Sequence, residues 1–270
     1  MSVSKLYPHL SLGDQLPAVG VLQKLLNARS NSNLPVDGVF GPSTEDALKE
    51  YQRAERRKGR RMNIDGIVNI FTWFALTEGA GPLQIIDCID VFDENLFHLE
   101  ARRIRGLGGS MVLVGGACNG VQEAVEAIRH AASSGQVFLL RFHGHGGPGI
   151  AGISWGHGEA GIDYDSGLRH DDVDALHSTL HQLRGIFGPY GSIQFMHCKT
   201  GSGPEGQQLL SSVADIVGVP ATGAVDIERG GGLNSFRYVG QTVTAVPGGG
   251  SLRSWCDDLP DFAGATMMYR

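Results

Sequence analysis

Two short apolar runs in this chain each end in a side chain that can do chemistry. Val137-Phe138-Leu139-Leu140-Arg141-Phe142 leads into His143-Gly144-His145-Gly146, and about fifty residues later Ser192-Ile193-Gln194-Phe195-Met196-His197 leads into Cys198. Apolar runs of this length read as buried strands. In open α/β sheets functional groups gather beyond the carboxyl ends of strands, so neighbouring strands would bring His145 and Cys198 together. A thiol is mostly protonated at neutral pH and attacks as the thiolate, so it needs a base or cation beside it. An imidazole supplies that base, and the chemistry implied is acyl transfer through a thioester. Glycines at 144, 146 and 147 let backbone approach a substrate closely. The amide N–H groups of Gly146 and Cys198 are candidate donors to a developing oxyanion.

Other residues compete for the same roles. His143 is an alternative base, two residues before His145. His197 precedes Cys198, and alternation along a strand turns it to the opposite face, which suits a structural role. Cys88, Cys118 and Cys256 read as small buried hydrophobes. Asp226 and Glu228, just past another strand, could form an acidic wall for a substrate. His143, His145, His157 and His170, with Asp171 and Asp172, offer a weaker alternative: a His-x-His pair with a remote ligand can hold zinc. The reading preferred here needs no metal and no cofactor.

The elements that must position these residues fall into two parts of unlike composition. From about 8 to 78, Val19, Leu22, Leu25 and Leu26 recur at helical spacing. Asp37-Gly38-Val39-Phe40-Gly41 is a turn signal, and Pro42-Ser43-Thr44 opens a second helix with Ala47, Leu48 and Tyr51 inward. Asp65-Gly66-Ile67-Val68 repeats the turn, and Thr72 is a helix-start residue for a third helix carrying Trp73, Phe74 and Leu76. Two half-repeats imply a small helical bundle with internal symmetry. Gly79-Ala80-Gly81-Pro82 punctuates the join. From about 83 to 270 strands alternate with helices: strands at 111–114, 137–142, 192–197 and 219–225, helices at about 120–132, 171–183 and 205–217, and a Gly-rich loop over about 144–168. Short all-apolar strands in that alternation imply an α/β domain with a mainly parallel sheet between helices. Residues 235–238 and 242–246 read as a terminal hairpin.

The first part resembles the three-helix peptidoglycan-binding domain attached to many bacterial wall hydrolases. The resemblance rests on Gly13, Val19, Leu22-Gln23, Leu25, Asp37-Gly38-Val39-Phe40-Gly41, Thr44, Ala47-Leu48, Tyr51-Gln52, Asp65-Gly66-Ile67-Val68 and Thr72-Trp73. It departs from that pattern in the Arg53–Arg61 insertion and at Asn69, where the family more often has Gly. The second part, over about 110–230, resembles the caspase-like cysteine peptidases, which include caspases, metacaspases, gingipains and bacterial CHAT proteins. Gly144-His145-Gly146, Cys198-Lys199-Thr200-Gly201 and Gly218-Val219-Pro220-Ala221 carry it. The resemblance implies Cys198 as nucleophile, His145 as general base and acid, in preference to His143, and Gly146 as an oxyanion donor. Met196 stands where metacaspases place an Asp, so their specificity for basic side chains is not carried over.

Bulk properties narrow the partners. A formal net charge of −6 gives no general case for nucleic acid. The basic run Arg53, Arg56, Arg57, Lys58, Arg60 and Arg61 follows a helix, where cations complement the helix dipole, and no aromatic interleaving suggests base stacking. No apolar stretch reaches the roughly 18 residues of a membrane span. Forty glycines, about twice the usual share, imply many tight turns. Met1–Lys5 has no apolar signal core, so the expectation is cytoplasmic synthesis with action at the cell envelope or after non-classical secretion. The expected function is a wall-targeted cysteine peptidase with peptidoglycan and a protein or peptide as partners. The alternatives are a zinc amidase or carboxypeptidase of the wall and an inactive wall-binding adaptor.

Overall fold

The computed structural model describes residues 7–30, 32–78, 83–90, 94–106, 109–114, 120–153, 167–228 and 237–262. Cys118 and His157 lie outside them. The chain divides into two compact units: residues 7–78 with 251–262, and residues 83–250.

The first unit is built on α1 (Pro17–Ser30), α2 (Pro42–Arg57) and α3 (Ile70–Thr77). Proline opens both α1 and α2, where its missing N–H costs no helical bond. Each of the two Asp-Gly turns is held by a buried glutamine from the preceding helix. Gln23 Oε1 accepts from Gly38 N at 3.0 Å, and its Nε2 donates to Asp37 Oδ1 at 2.8 Å and Val39 O at 3.0 Å. Gln52 repeats the pattern: Oε1 accepts from Gly66 N at 3.0 Å, and Nε2 donates to Asp65 Oδ1 at 3.2 Å and Ile67 O at 2.9 Å. Gly38 and Gly66 sit at φ 75° and 72°, a region that disfavours side chains. The expected internal symmetry is therefore present down to single hydrogen bonds. Asn69, not Thr72, caps α3, accepting from Phe71 N and Thr72 N. Within the basic run, Lys58 and Arg60 both reach the buried carboxylate of Glu55 at 2.7 Å, and Arg61 lies over the Phe71 ring.

Residues 251–262 pack on the first unit, although the sequence pattern assigns everything from about 83 to 270 to the second part. Ser251 caps α8 (Leu252–Asp257), accepting from Ser254 N at 3.1 Å. Cys256 lies against Gly20, where the helix surface has no side chain, and Leu252 covers Gly38. Lys24 pairs with Asp261 at 2.9 Å. A short helix carrying Leu252 and Cys256, followed by Leu259, needs an apolar partner, and the glycine-flattened surface of α1 provides it.

The second unit is a six-stranded sheet flanked by helices. Its order is β2 (Ser110–Val114), β1 (Gln84–Asp90), β3 (Val137–His143), β7 (Phe187–Met196), β8 (Ala221–Ala224) and β9 (Thr242–Ala245), parallel except for the last pair. One face carries Ile86, Cys88, Leu140, Phe142, Ile193 and Phe195 into a core completed by α5 (Gly120–Ala131) and α7 (Gly203–Val217). The other face meets α4 (Glu94–Gly106) through Glu100. The strand β1 and helix α4 had no counterpart in the sequence reading, because Asp87 and Asp90 break the apolar run of β1.

The span 171–183 is not one helix but a 3-10 turn at Val173–Leu176 followed by the short α6 (His177–His181). The Gly-rich loop contains a small antiparallel sheet of β4 (Gly146–Gly147), β5 (Ile150–Gly152) and β6 (Gly167–Arg169). The terminal hairpin is absent among the described residues: β9 pairs with β8, and Tyr238 donates its hydroxyl to Thr222 O at 3.0 Å. Strand β9 satisfies the open edge of β8, which a detached hairpin would leave bare.

Candidate active site

The site is a consequence of register. β3 and β7 are adjacent and parallel, with His143 opposite Met196. His145 and Cys198 each lie two residues further on, so each follows the carboxyl end of one of two neighbouring central strands. His145 is exposed and Cys198 half-buried. Cys198 Sγ donates to Glu228 O at 3.4 Å. Lys199, immediately after it, has φ 57°, the one non-glycine residue at positive φ among the described residues. Such conformations cost free energy and cluster at functional turns. Here the turn is held because Lys199 N donates to Asp226 O at 2.9 Å and Gly201 N to Ala224 O at 2.8 Å.

Those bonds also place the two candidate substrate-wall residues. Asp226 and Glu228 follow β8 and run beside the Cys198 turn, with Asp226 exposed and Glu228 half-buried. Burial raises the Glu228 carboxyl above its ordinary range; the Val239 N–H opposes this and Asp226 adds to it.

His143 is buried and occupied elsewhere. Its Nε2 meets Asp87 Oδ1 at 2.9 Å, and its Nδ1 faces Glu100 Oε1 at 3.4 Å, close enough for charge attraction but without a well-formed hydrogen bond. Arg141 grips the same Asp87 through two bonds, at 2.7 and 3.1 Å. Burial by itself would lower the His143 pKa, but the Glu100 and Asp87 carboxylates outweigh it and raise it to about 9. Burial would likewise raise Asp87, yet Arg141 and His143 hold it below the usual carboxylate range. Asp87, Arg141, Gln194, Thr222 and Thr244 stand in register across five strands as one polar row. This network was missed in the sequence. Its signal was a charge inside each of two apolar runs, at Asp87 and at Arg141.

His197 is also buried, on the side of the core, near Phe195. Its Nε2 lies 2.7 Å from Gly152 O. A carbonyl can only accept, so Nε2 carries the proton. Burial lowers its pKa to about 4; the bond to Gly152 opposes that, and the neighbouring charge of His143 reinforces it. The glycines flanking His145 follow from this packing. A Cβ on Gly144 would collide with Gly152 O and approach His197 Nε2 to 2.8 Å, and one on Gly146 would lie 2.7 Å from His197 Cβ and 2.8 Å from Thr200 Oγ1. Gly146 itself pairs with Ala151 in β4 and β5.

The zinc alternative gains nothing from the geometry. Among the described residues no three His, Cys, Asp or Glu side chains are grouped so as to hold a metal ion. Both ring nitrogens of His143 face carboxylates, and Arg169 lies 3.4 Å from Asp171 and 3.9 Å from Asp172. Cys88 and Cys256 are buried free thiols, and burial raises both well above the ordinary thiol value. Among the described residues no helix is long and apolar enough to cross a membrane.

No curated protein and no solved structure matches the chain. Residues 15–76 match the family model of the peptidoglycan binding domain, and these are the residues of the bundle with its two glutamine-held turns: the first unit carries a peptidoglycan-binding domain.

Proposed function

We propose that the chain is a cysteine peptidase directed to the cell wall by its first unit, with Cys198 as nucleophile and His145 as general base and acid. The observation that supports the reading is the parallel adjacency of β3 and β7 with His143 opposite Met196, so that His145 and Cys198 each come two residues past the carboxyl ends of neighbouring strands. His145 takes the thiol proton from Cys198, and the sulfur attacks the carbonyl carbon of a peptide bond. The tetrahedral intermediate collapses to a thioester as His145 returns the proton to the departing amine. A water molecule, deprotonated by His145, then attacks the thioester; its collapse frees the carboxylate and restores the thiol. Backbone N–H groups at Gly146 and Cys198 are the candidate oxyanion donors. The carboxylates of Asp226 and Glu228 beside the nucleophile turn favour a substrate with a cationic side chain next to the cut, a protein at the envelope or a stem peptide of the wall.

The test is hydrolysis of a peptide library and of purified sacculi by the full chain and by Cys198→Ala and His145→Ala. Either substitution is expected to lower kcat/KM by about 10³-fold or more. Full hydrolysis by Cys198→Ala would remove the thiol from the mechanism. Sacculus binding without hydrolysis by the unsubstituted chain would leave a wall-binding adaptor.

A further inference from the structure

The hairpin that follows His145 is tied to the Cys198 turn at three points. His197 Nε2 donates to Gly152 O at 2.7 Å, Thr200 Oγ1 donates to Ile150 O at 3.0 Å, and Gly149 N donates to Thr200 O at 3.3 Å. Gly152 is the link that matters for the dyad, because its N–H donates in turn to His145 O at 2.8 Å. Two hydrogen bonds therefore run from the ring beside the nucleophile, through the two polar groups of one glycine, to the backbone of the candidate base. His197 is fully buried, and its Nδ1 has no hydrogen-bond partner among the described residues. Gly144 and Gly146 close the remaining space, since a side chain at Gly144 would strike the ring and its acceptor, and one at Gly146 would strike His197 Cβ, Ile150 O and Thr200 Oγ1. A buried bond of this kind is costly to leave unmade, so the hairpin has one favoured position as long as the ring donates.

We propose that His197 is a positioning residue for the dyad: as a neutral donor to Gly152 it fixes the backbone of His145 at the level of Cys198. This rests on the Cys198–His145 reading above. His197 touches no substrate in this role and acts through Gly152 alone. The ring must stay uncharged, because a second N–H at Nδ1 would be buried without an acceptor among the described residues and would face the His143 charge, opposed by Glu100.

The experiment compares His197→Phe, which keeps the ring volume and loses the donor, with His197→Gln, whose amide can replace it. Full-length protein is labelled with limiting iodoacetamide across a pH series and Cys198 modification is read by mass. Hydrogen exchange of the 144–153 segment is followed in parallel, and circular dichroism checks folding. The expected result is that His197→Phe slows Cys198 labelling near neutral pH by about tenfold or more, to the level of His145→Ala, because the base is no longer held beside the thiol. Exchange over 144–153 rises in the same variant, and His197→Gln returns labelling to within about threefold of the native protein. If His197→Phe does not fold, Thr200→Val loosens the same hairpin at its second tie and should shift both readouts in the same direction. The proposal is overturned if His197→Phe, or Thr200→Val in its place, keeps the native labelling profile while His145→Ala loses it. If His145→Ala itself labels like the native protein, the dyad falls, and the positioning role falls with it.

Discussion

The two units hold their buried polar groups over different distances along the chain. In the first unit the turns rest on buried neutral glutamines 14 or 15 residues away, and the buried carboxylate of Glu55 pairs with Lys58 and Arg60 close by in sequence. The same arrangement occurs twice, with Gln23 on Asp37-Gly38 and Gln52 on Asp65-Gly66. In the second unit the buried groups are charged and come from afar: Asp87 meets Arg141 and His143 across 54 and 56 residues, and Glu100 joins from a helix. A local, neutral, repeated device leaves a pattern in the chain that a family model can match. A charged network assembled by strand order leaves only isolated residues, each of which looks like a flaw in an apolar strand.

The comparison can be broken most directly at the charged network. Arg141→Met leaves Asp87 buried without its main partner, and breaking a buried ion pair typically costs about 3–5 kcal/mol. Urea denaturation of the full chain should show that loss in the second unit. The double substitution Asp87→Leu with Arg141→Met should recover part of it, since an apolar pair removes both desolvation costs. A loss below about 1 kcal/mol, as for a surface pair, would deny the network a structural role.

The pH dependence separates the units next. His197 has a folded pKa depressed to about 4, against an ordinary value of about 6.5. Its contribution is present above pH 6.5 and is lost as pH falls towards 4, a shift equivalent to about 3 kcal/mol. His143 has the opposite sign. Its pKa is raised to about 9, so its contribution is present below pH 6.5 and is lost as pH rises through about 9. Thermal unfolding of the second unit should therefore weaken on both sides, and His197→Gln should flatten the acid limb. The glutamine supports of the first unit carry no titrating proton. An acid limb that persists unchanged in His197→Gln would assign it to other groups.

The smallest effect sharpens the repeat. Gln23→Ala and Gln52→Ala each strip a buried turn of its donors and acceptors, at about 2 kcal/mol apiece. Denaturant unfolding should show the two losses equal within error. A loss confined to one of them would make the symmetry geometric without being energetic.

How much was legible follows the same division. The bundle was readable because helical spacing, Asp-Gly turns and proline starts are local signals, and Gln23 and Gln52 were already among the matching residues. Its cap was misplaced by three residues, at Thr72 instead of Asn69, because both side chains can cap and only the backbone decides. The main strands of the sheet were readable except β1, whose Asp87 and Asp90 are buried although carboxylates seldom are without partners. His145 and Cys198 were legible as strand-end residues, and His143 stayed an alternative until its two carboxylate neighbours were visible. His197 was assigned a structural place by alternation alone, and nothing in the chain pointed to Gly152.

The sequence by itself determined the two-part organisation, the helical repeat, the parallel character of the sheet and the residue types at the strand ends. Those depend on short-range periodicity and turn chemistry, which each segment carries within itself. Only the tertiary structure decided that β3 neighbours β7 in matching register, that residues 251–262 return to the first unit, and that Asp87 and Glu100 flank His143 while Arg141 holds the same Asp87. These are contacts between segments far apart in the chain, and a residue's side chain does not specify its partner until strand order and register have brought the two together.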